Sequence, residues 1–212
     1  MDKILIVGAG GFAKELLEII LQINPNAAVT FYDDVSADAP TRLFGRFEIL
    51  RSESEAIAYF KNEEPKFAIG VGNPLHRQQL FDKFSSLGGT PTSIISPFAR
   101  IGVIDNKIDI GTCVLTDAVL ESENTIGTGS LVHVGALISH NVTVGHFCEI
   151  SPRASLLGNV RVGDLCSIGA GSVILPNVTV GNNTKIGAGA VVTRDIAGGI
   201  TAVGIPARPI SK

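Results

Sequence analysis

From Ile126 to Val192 every sixth residue is a branched aliphatic: Ile126, Val132, Ile138, Val144, Ile150, Leu156, Val162, Ile168, Ile174, Val180, Ile186 and Val192. Four residues after each comes a small or slim side chain, as in Ser130, Ala136, Val142, Cys148, Ala154, Val160 and Cys166. A six-residue period fits neither a 3.6-residue helix nor the two-residue alternation of a strand, so the unit is a short flat strand plus a turn, wound into a coil. Three hexads make one coil. Gly127, Gly145, Gly163 and Gly181 recur once per coil, where a corner is expected to need a permissive backbone. Such a coil buries its aliphatics only by stacking, with neighbours about 4.8 Å apart. Each buried Ile or Val contributes about 1.5–3 kcal/mol. Weaker hexads in the same frame, opened by Ile108, Val114 and Leu120, extend the pattern to about residue 100. The reading is a parallel β-helix.

The first ninety residues follow another pattern. Ile4-Leu5-Ile6-Val7 is a short apolar run, followed by Gly8-Ala9-Gly10-Gly11 and a helical pattern through Leu16, Leu17, Ile20 and Leu21. A second strand from Val29 to Tyr32 ends in Asp33-Asp34, and a helical stretch covers roughly Ser52 to Lys61. A third strand, Phe67 to Val71, ends at Gly72-Asn73-Pro74 and leads into a helix through Leu75, Leu80 and Phe84. Alternating strands and helices predict a small parallel sheet in a doubly wound arrangement. Ile94-Ile95 makes a last strand and Ser96-Pro97 the handover, giving domains 1–96 and 97–212.

Gly8-x-Gly10-x-x-Ala13 matches the dinucleotide fingerprint, with Asp33 at the spacing of a ribose-binding acid. Ninety residues supply only half of a dinucleotide domain, so the expectation is a mononucleotide or nucleotide-sugar site rather than a dehydrogenase. Backbone N–H groups at the glycine turn suit phosphate, and the acids at the second strand's end suit ribose or base. A purely structural turn and NAD are the alternatives.

A net charge of −3 without a basic cluster argues against nucleic acid. No leader or apolar run of membrane-spanning length is read in the chain, so a soluble cytoplasmic protein is expected, with no membrane partner. Cys113, Cys148 and Cys166 are too few and too scattered for a disulfide framework or a zinc knuckle. Cys148 and Cys166, eighteen apart at the small inward position, are expected as stacked buried thiols.

Of the histidines, His76 reads as a surface residue, while His133, His140 and His146 fall near turns of the coil. His140 and His146 share the outward third place of their hexads. Eighteen residues beyond His140 is Gly158, a position where a ligand could approach the backbone closely. A base with an N–H donor one coil away is the minimum kit for acyl transfer. His140 is the candidate base and His146 the second candidate.

The chain resembles the hexapeptide-repeat acyltransferases that modify sugars, the sialic-acid O-acetyltransferase-like and nucleotide-aminosugar N-acetyltransferase group that includes the bacillosamine-pathway enzyme. The likeness rests on IVGAGGFAKELLEII, FYDDV, IGVGNP, ISHNVTVGHFCEISPRASLLGNVRVG and AVGIPARPI. It implies a Rossmann-like α/β half domain followed by a left-handed β-helix, a homotrimer, acetyl-CoA as co-substrate and no metal. Carried over, His140 is the general base, Asn141 its neighbour where relatives usually have Asp or Glu, and Gly158 the oxyanion donor. Ala170 and Ala188, with Gly158, line the coenzyme A groove. Gly10, Gly11, Asp33, Asp34 and Asn73 hold the nucleotide sugar. Glu149 stands where many relatives have a second histidine, and Phe12 where a histidine often follows the double glycine. The implied reaction is acetyl transfer to the C4 amine of a nucleotide-linked sugar, with no acyl-enzyme on the inward cysteines. Alternatives are O-acetylation of a sugar such as sialic acid, a non-sugar hexapeptide acyltransferase, and a scaffold or metal-binding trimer. Outward apolar residues such as Leu131, Leu137 and Val173 also point to self-association.

Overall fold

A computed structural model describes residues 2–36 and 41–210. It divides into two compact units, 1–97 and 98–212. The first unit runs β1 (Lys3–Val7), α1 (Gly11–Ile23), β2 (Ala28–Tyr32), β3 (Arg42–Leu43), β4 (Phe47–Leu50), α2 (Glu53–Asn62), β5 (Lys66–Ile69), α3 (Pro74–Ser86) and β6 (Thr90–Pro91). Its sheet has the order β3-β4-β2-β1-β5-β6. All pairings are parallel except β3 with β4, a hairpin edge that the sequence pattern did not disclose. Strand residues on one face of β1, Leu5 and Val7, join Phe60 of α2, Phe67 of β5 and Phe84 of α3 in one core. Phe60, Phe67 and Phe84 stand 6.0–6.3 Å apart by ring centroids. The other face receives α1 through Ala13, Leu16, Leu17, Ile19 and Ile20.

Helices α2 and α3 start where the sequence supplies a side-chain cap. Ser52 and Glu55 form a reciprocal capping box on α2. Asn73 caps α3, with Pro74 in the first turn, where its missing N–H costs nothing. α1 begins at Gly10 with no side-chain cap, so its first N–H groups are left for backbone or ligand.

The second unit is a left-handed parallel β-helix of two-residue strands, ending in an antiparallel hairpin of Thr201–Gly204 with Ala207–Ile210. Register steps by eighteen throughout the repeat, as in Leu131↔Glu149, Glu149↔Ser167 and Ser167↔Lys185. The predicted aliphatics are the inward second residues of these strands, and Ile126, Val132, Ile138, Ile150, Leu156 and Ile168 are fully buried. The small residues four places later are inward too. One such ladder is polar: Thr112, Ser130, Cys148, Cys166 and Thr184 donate to the carbonyls of Gly127, Gly145, Gly163, Gly181 and Ala197, at 2.8–3.3 Å. These buried hydroxyls and thiols satisfy carbonyls that the parallel ladder leaves over.

The corners differ from expectation. Every sixth residue from Asp105 to Gly189 is left-handed, including Arg153, Phe147 and Leu165, with φ of 58°, 53° and 58°. A bulky residue in that region costs about 1–2 kcal/mol, so the stacked fold imposes these turns. Gly127, Gly145, Gly163 and Gly181 are not left-handed. They are glycine because coils touch there: a Cβ on Gly127 would lie 2.6 Å from the Gly145 carbonyl carbon, and one on Gly181 2.5 Å from Gly198 N.

The hexad frame breaks at both ends, and at the far one Lys185 pairs with Thr201, only sixteen residues on. Ile101 pairs with Leu120, nineteen residues on, whereas Ile108 pairs with Ile126, eighteen on. The extra residue is absorbed by an outward bulge, Gly102 to Asn106, whose Val103 is 99% exposed. Asn106 Nδ2 fastens it, donating to Gly102 O at 2.7 Å and Glu121 O at 2.6 Å. Leu131, expected outward and wet, is fully buried on a covered face that also bears Cys113 and Leu115; Leu137 and Val173 are half-buried.

Candidate active site

His140 stands on a turn after the strand Leu137–Ile138, exposed to solvent. The turn is made by Asn141, whose φ of 59° is tolerated by a short polar residue. Asn141 Oδ1 lies 2.9 Å from His140 Nδ1. An amide oxygen only accepts, so Nδ1 carries the proton and the lone pair sits on Nε2. The side chain after the histidine therefore sets the imidazole tautomer.

One coil on, Gly158 lies beneath the imidazole. A Cβ there would be 2.6 Å from His140 Cε1 and 2.7 Å from Nε2. The expectation was that glycine leaves room for a ligand. Instead the ring fills that room and Gly158 is buried. The Gly158 carbonyl accepts from Asn177 N at 3.0 Å, while its own N–H has no partner among the described residues.

Ala170 and Ala188 are exposed and stack one coil apart, with Gly189 N donating to Ala170 O at 2.9 Å. They occupy a different corner from His140 and Gly158, offset by two hexads. His146 occupies the third corner. Its Nδ1 accepts from Thr128 N at 3.1 Å, its N donates to Asp164 Oδ1 at 2.7 Å, and Asp164 N donates to Asn182 Oδ1 at 3.0 Å. His146 is thus one rung of a side-chain ladder that caps turn N–H groups. His133 is buried, and its Nε2 lies 3.6 Å from Glu149 Oε1.

Sequence reasoning missed the cleft beside His140. A cavity of about 550 Å³ is formed by the bulge residues Val103 and Ile104 together with Glu121, Glu123, His140 and Asn141. Ser139 Oγ donates to Glu121 Oε2 at 2.6 Å across the coils. Subtracting eighteen from Ser139 reaches Glu121, which was the available signal.

In the first unit a second cavity, of about 240 Å³, is bounded by Gly8, Ala9, Gly10, Asp33, Asp34 and Leu80 among others. Gly8 has φ of 109°, and its N donates to Tyr32 O at 2.8 Å. The turn passes tightly by Gly70, where a Cβ would lie 2.6 Å from that of Ala13. Asp33 Oδ1 accepts from the N–H groups of Val35 and Ser36, both at 3.1 Å. Burial alone would raise the Asp33 pKa, but the Ser36 and Val35 hydrogen bonds and the Arg51 charge hold it below the ordinary carboxylate value. Asp34 Oδ2 accepts from Tyr32 OH at 2.9 Å. Burial first, then this carboxylate, pushes the Tyr32 phenol well above its usual range. Gly11 and Asn73 do not line this cavity. Gly11 opens α1, and Asn73 Oδ1 is engaged by His76 N at 3.1 Å as the helix cap.

Among the described residues no helix is long and apolar enough to cross a membrane, and no group of three His, Cys, Asp or Glu side chains could hold a metal ion. Residues 3–84 match the PglD N-terminal domain, and residues 141–176 and 159–194 match the bacterial transferase hexapeptide (six repeats). No curated protein matches the chain. Among solved structures it is similar to a mutant perosamine N-acetyltransferase from Caulobacter crescentus in complex with CoA and GDP-perosamine. That match has 25% identity and a TM-score of 0.90, covering 100% of this chain and 98% of the other. The acetyltransferase domain of PglB from Neisseria gonorrhoeae, in complex with acetyl coenzyme A, is 28% identical with a TM-score of 0.88, covering 99% of each chain. WeeI from Acinetobacter baumannii is 26% identical with a TM-score of 0.90, covering 99% of this chain and 100% of the other.

Proposed function

We infer, from the premise that the chain belongs with the hexapeptide-repeat sugar acetyltransferases carrying a PglD-type N-terminal domain, that it moves an acetyl group from acetyl-CoA to an amine of a nucleotide-linked sugar. The observation that carries the reading is the packing of His140 on Gly158, with Asn141 fixing the imidazole tautomer. The acceptor amine attacks the thioester carbonyl carbon. His140 Nε2 takes the proton from the attacking nitrogen and returns it to the departing coenzyme A thiolate. The unpartnered Gly158 N–H stabilises the oxyanion.

Base assistance of this kind contributes about 10² to 10⁴ in rate, and one oxyanion donor about 10² to 10³. No acyl-enzyme is required, since Cys148 and Cys166 are fully buried with their thiols turned to backbone carbonyls. The exposed turns at Ala170 and Ala188 offer backbone to the coenzyme A chain. The turn from Gly8 to Gly10 and the Asp33-Asp34 pair offer N–H groups and carboxylates to the nucleotide. The active species is a homotrimer working in the cytoplasm.

The test is release of coenzyme A thiol by purified protein against 4-amino nucleotide sugars and free sialic acids. Acetyl-CoA-dependent turnover with a 4-amino nucleotide sugar is expected. Turnover only with sialic acids, or none with any sugar, would overturn the reading.

A further inference from the structure

The cleft beside His140 holds a carboxylate that the proposed proton transfer does not use. Glu121 lies one coil before Ser139 and is fastened at three points. Its N donates to Ile138 O at 2.9 Å, its carbonyl accepts from Asn106 Nδ2 at 2.6 Å, and its Oε2 accepts from Ser139 Oγ at 2.6 Å. Its Oε1 has no hydrogen bond or ion pair among the described residues. An exposed glutamate ordinarily samples many rotamers at little cost. This one is pinned by the residue next to His140, with one oxygen left over.

The surroundings bear on what that oxygen binds. Gly158, the proposed oxyanion donor, lies one coil after His140, so the thioester is delivered from that side. The cleft of about 550 Å³ lies on the opposite side, toward the preceding coils, which leaves it to the acceptor. Its described lining has two carboxylates, Glu121 and Glu123, and no Lys or Arg. An alkylamine is cationic near neutral pH, whereas a sugar hydroxyl is not. A carboxylate therefore favours the amine twice, through charge attraction and through a charge-assisted hydrogen bond about twice as strong as a neutral one.

We propose that Glu121 is a specificity-determining residue that selects amine over hydroxyl acceptors, its free Oε1 holding the acceptor nitrogen beside His140 Nε2. The inference rests on the acetyl-transfer reading. The bound ammonium loses one proton to solvent. The amine then attacks, the C–S bond breaks, and His140 carries a second proton from nitrogen to the thiolate. The balance is one amide, one thiol and one released proton. Ser139 acts through Glu121 as a positioning residue.

The experiment compares the wild type with Glu121→Gln and Ser139→Ala, using a 4-amino nucleotide sugar as substrate and its 4-hydroxy counterpart as competitive inhibitor. Glu121→Gln keeps the size and an acceptor oxygen at an exposed site, so folding is not at risk. It is expected to lower kcat/KM for the amine about tenfold or more, with the inhibition constant of the hydroxyl compound and the KM for acetyl-CoA within about twofold. Ser139→Ala should shift the same quantities in the same direction by less. Unchanged kcat/KM for the amine, or equal losses on both compounds, would overturn the role of Glu121 while leaving the transferase reading intact. Absence of turnover in the wild type would instead sink that reading, and this one with it.

Discussion

The imidazole of His140 occupies the space that any side chain at Gly158 would need, with Cε1 and Nε2 2.6 and 2.7 Å from where a Cβ would be. Gly158 is not left-handed, so Gly158→Ala carries no backbone strain, and its whole effect is to push the ring away. We expect kcat to fall at least about tenfold, since small displacements of a base are costly, with the melting temperature nearly unchanged. Normal kcat in this variant would mean that the ring is free to choose another position during turnover.

His140→Ala should lower kcat by about 10² or more with acetyl-CoA binding retained, as loss of a positioned base implies. His146→Ala should act mainly on stability, because it removes the acceptor of the Thr128 N–H and not a group at the His140 corner. Parallel kinetics and thermal melts of the two variants separate these outcomes, and a comparable kcat loss from His146→Ala would move the base assignment.

Asn141 accepts the Nδ1 proton without a charge. Asn141→Asp keeps the turn, since Asp also tolerates the left-handed region, and adds a carboxylate that favours the imidazolium. The acid limb of the kcat profile should move to higher pH. A limb that stayed in place would show that some other group titrates in it.

Asp33 links the cavity at the glycine turn to stability. A carboxylate with a depressed folded pKa stabilises the fold above its unfolded pKa and loses that contribution as pH falls through the folded value. Asp33→Asn should cost less than about 1 kcal/mol at pH 7, given the screening of a half-buried group, and the difference from wild type should start to shrink only below about pH 4 and vanish beneath the depressed folded value. The same substitution should raise KM for the sugar nucleotide and leave that for acetyl-CoA nearly unchanged. Equal effects on both substrates would assign the residue to folding alone.

The polar ladder inside the coil gives a test without activity. Cys148→Ser keeps a donor for the Gly163 carbonyl, as Ser130 does for Gly145, and should be tolerated within about 1 kcal/mol. Cys148→Val removes the donor and should cost about 1–3 kcal/mol through an unsatisfied buried carbonyl. Denaturant midpoints of the two variants, read on the same assembly state, would show whether the ladder stabilises through hydrogen bonds or through packing alone.

The coil was legible because its inward positions repeat with one chemistry: Ile126, Val132 and Ile138 announce the period and the structure buries each of them. The corners were not, since left-handed turns fall on Phe147, Arg153 and Leu165, residues whose own preferences point elsewhere. The edge strand Arg42–Leu43 is too short to carry a pattern. His140, Asn141 and Gly158 could be brought together by counting eighteens. Glu121 could not be singled out, because a lone glutamate on a coil face looks like any solvated charge until Ser139 and the bulge above it are placed. For Asn73 the structure adds a role the motif did not announce: its side chain caps α3.

The bulge at Gly102 to Asn106 shows how the coil takes in extra chain. One residue is added, the strands Arg100–Ile101 and Lys107–Ile108 both keep their partners, and the interior ladder continues undisturbed. Length at a corner is therefore decoupled from the core, so this site is a natural graft point. Loops of other lengths and compositions could be exchanged there to recontour the wall facing His140, with the scaffold's melting behaviour serving as the control that the graft stayed outside.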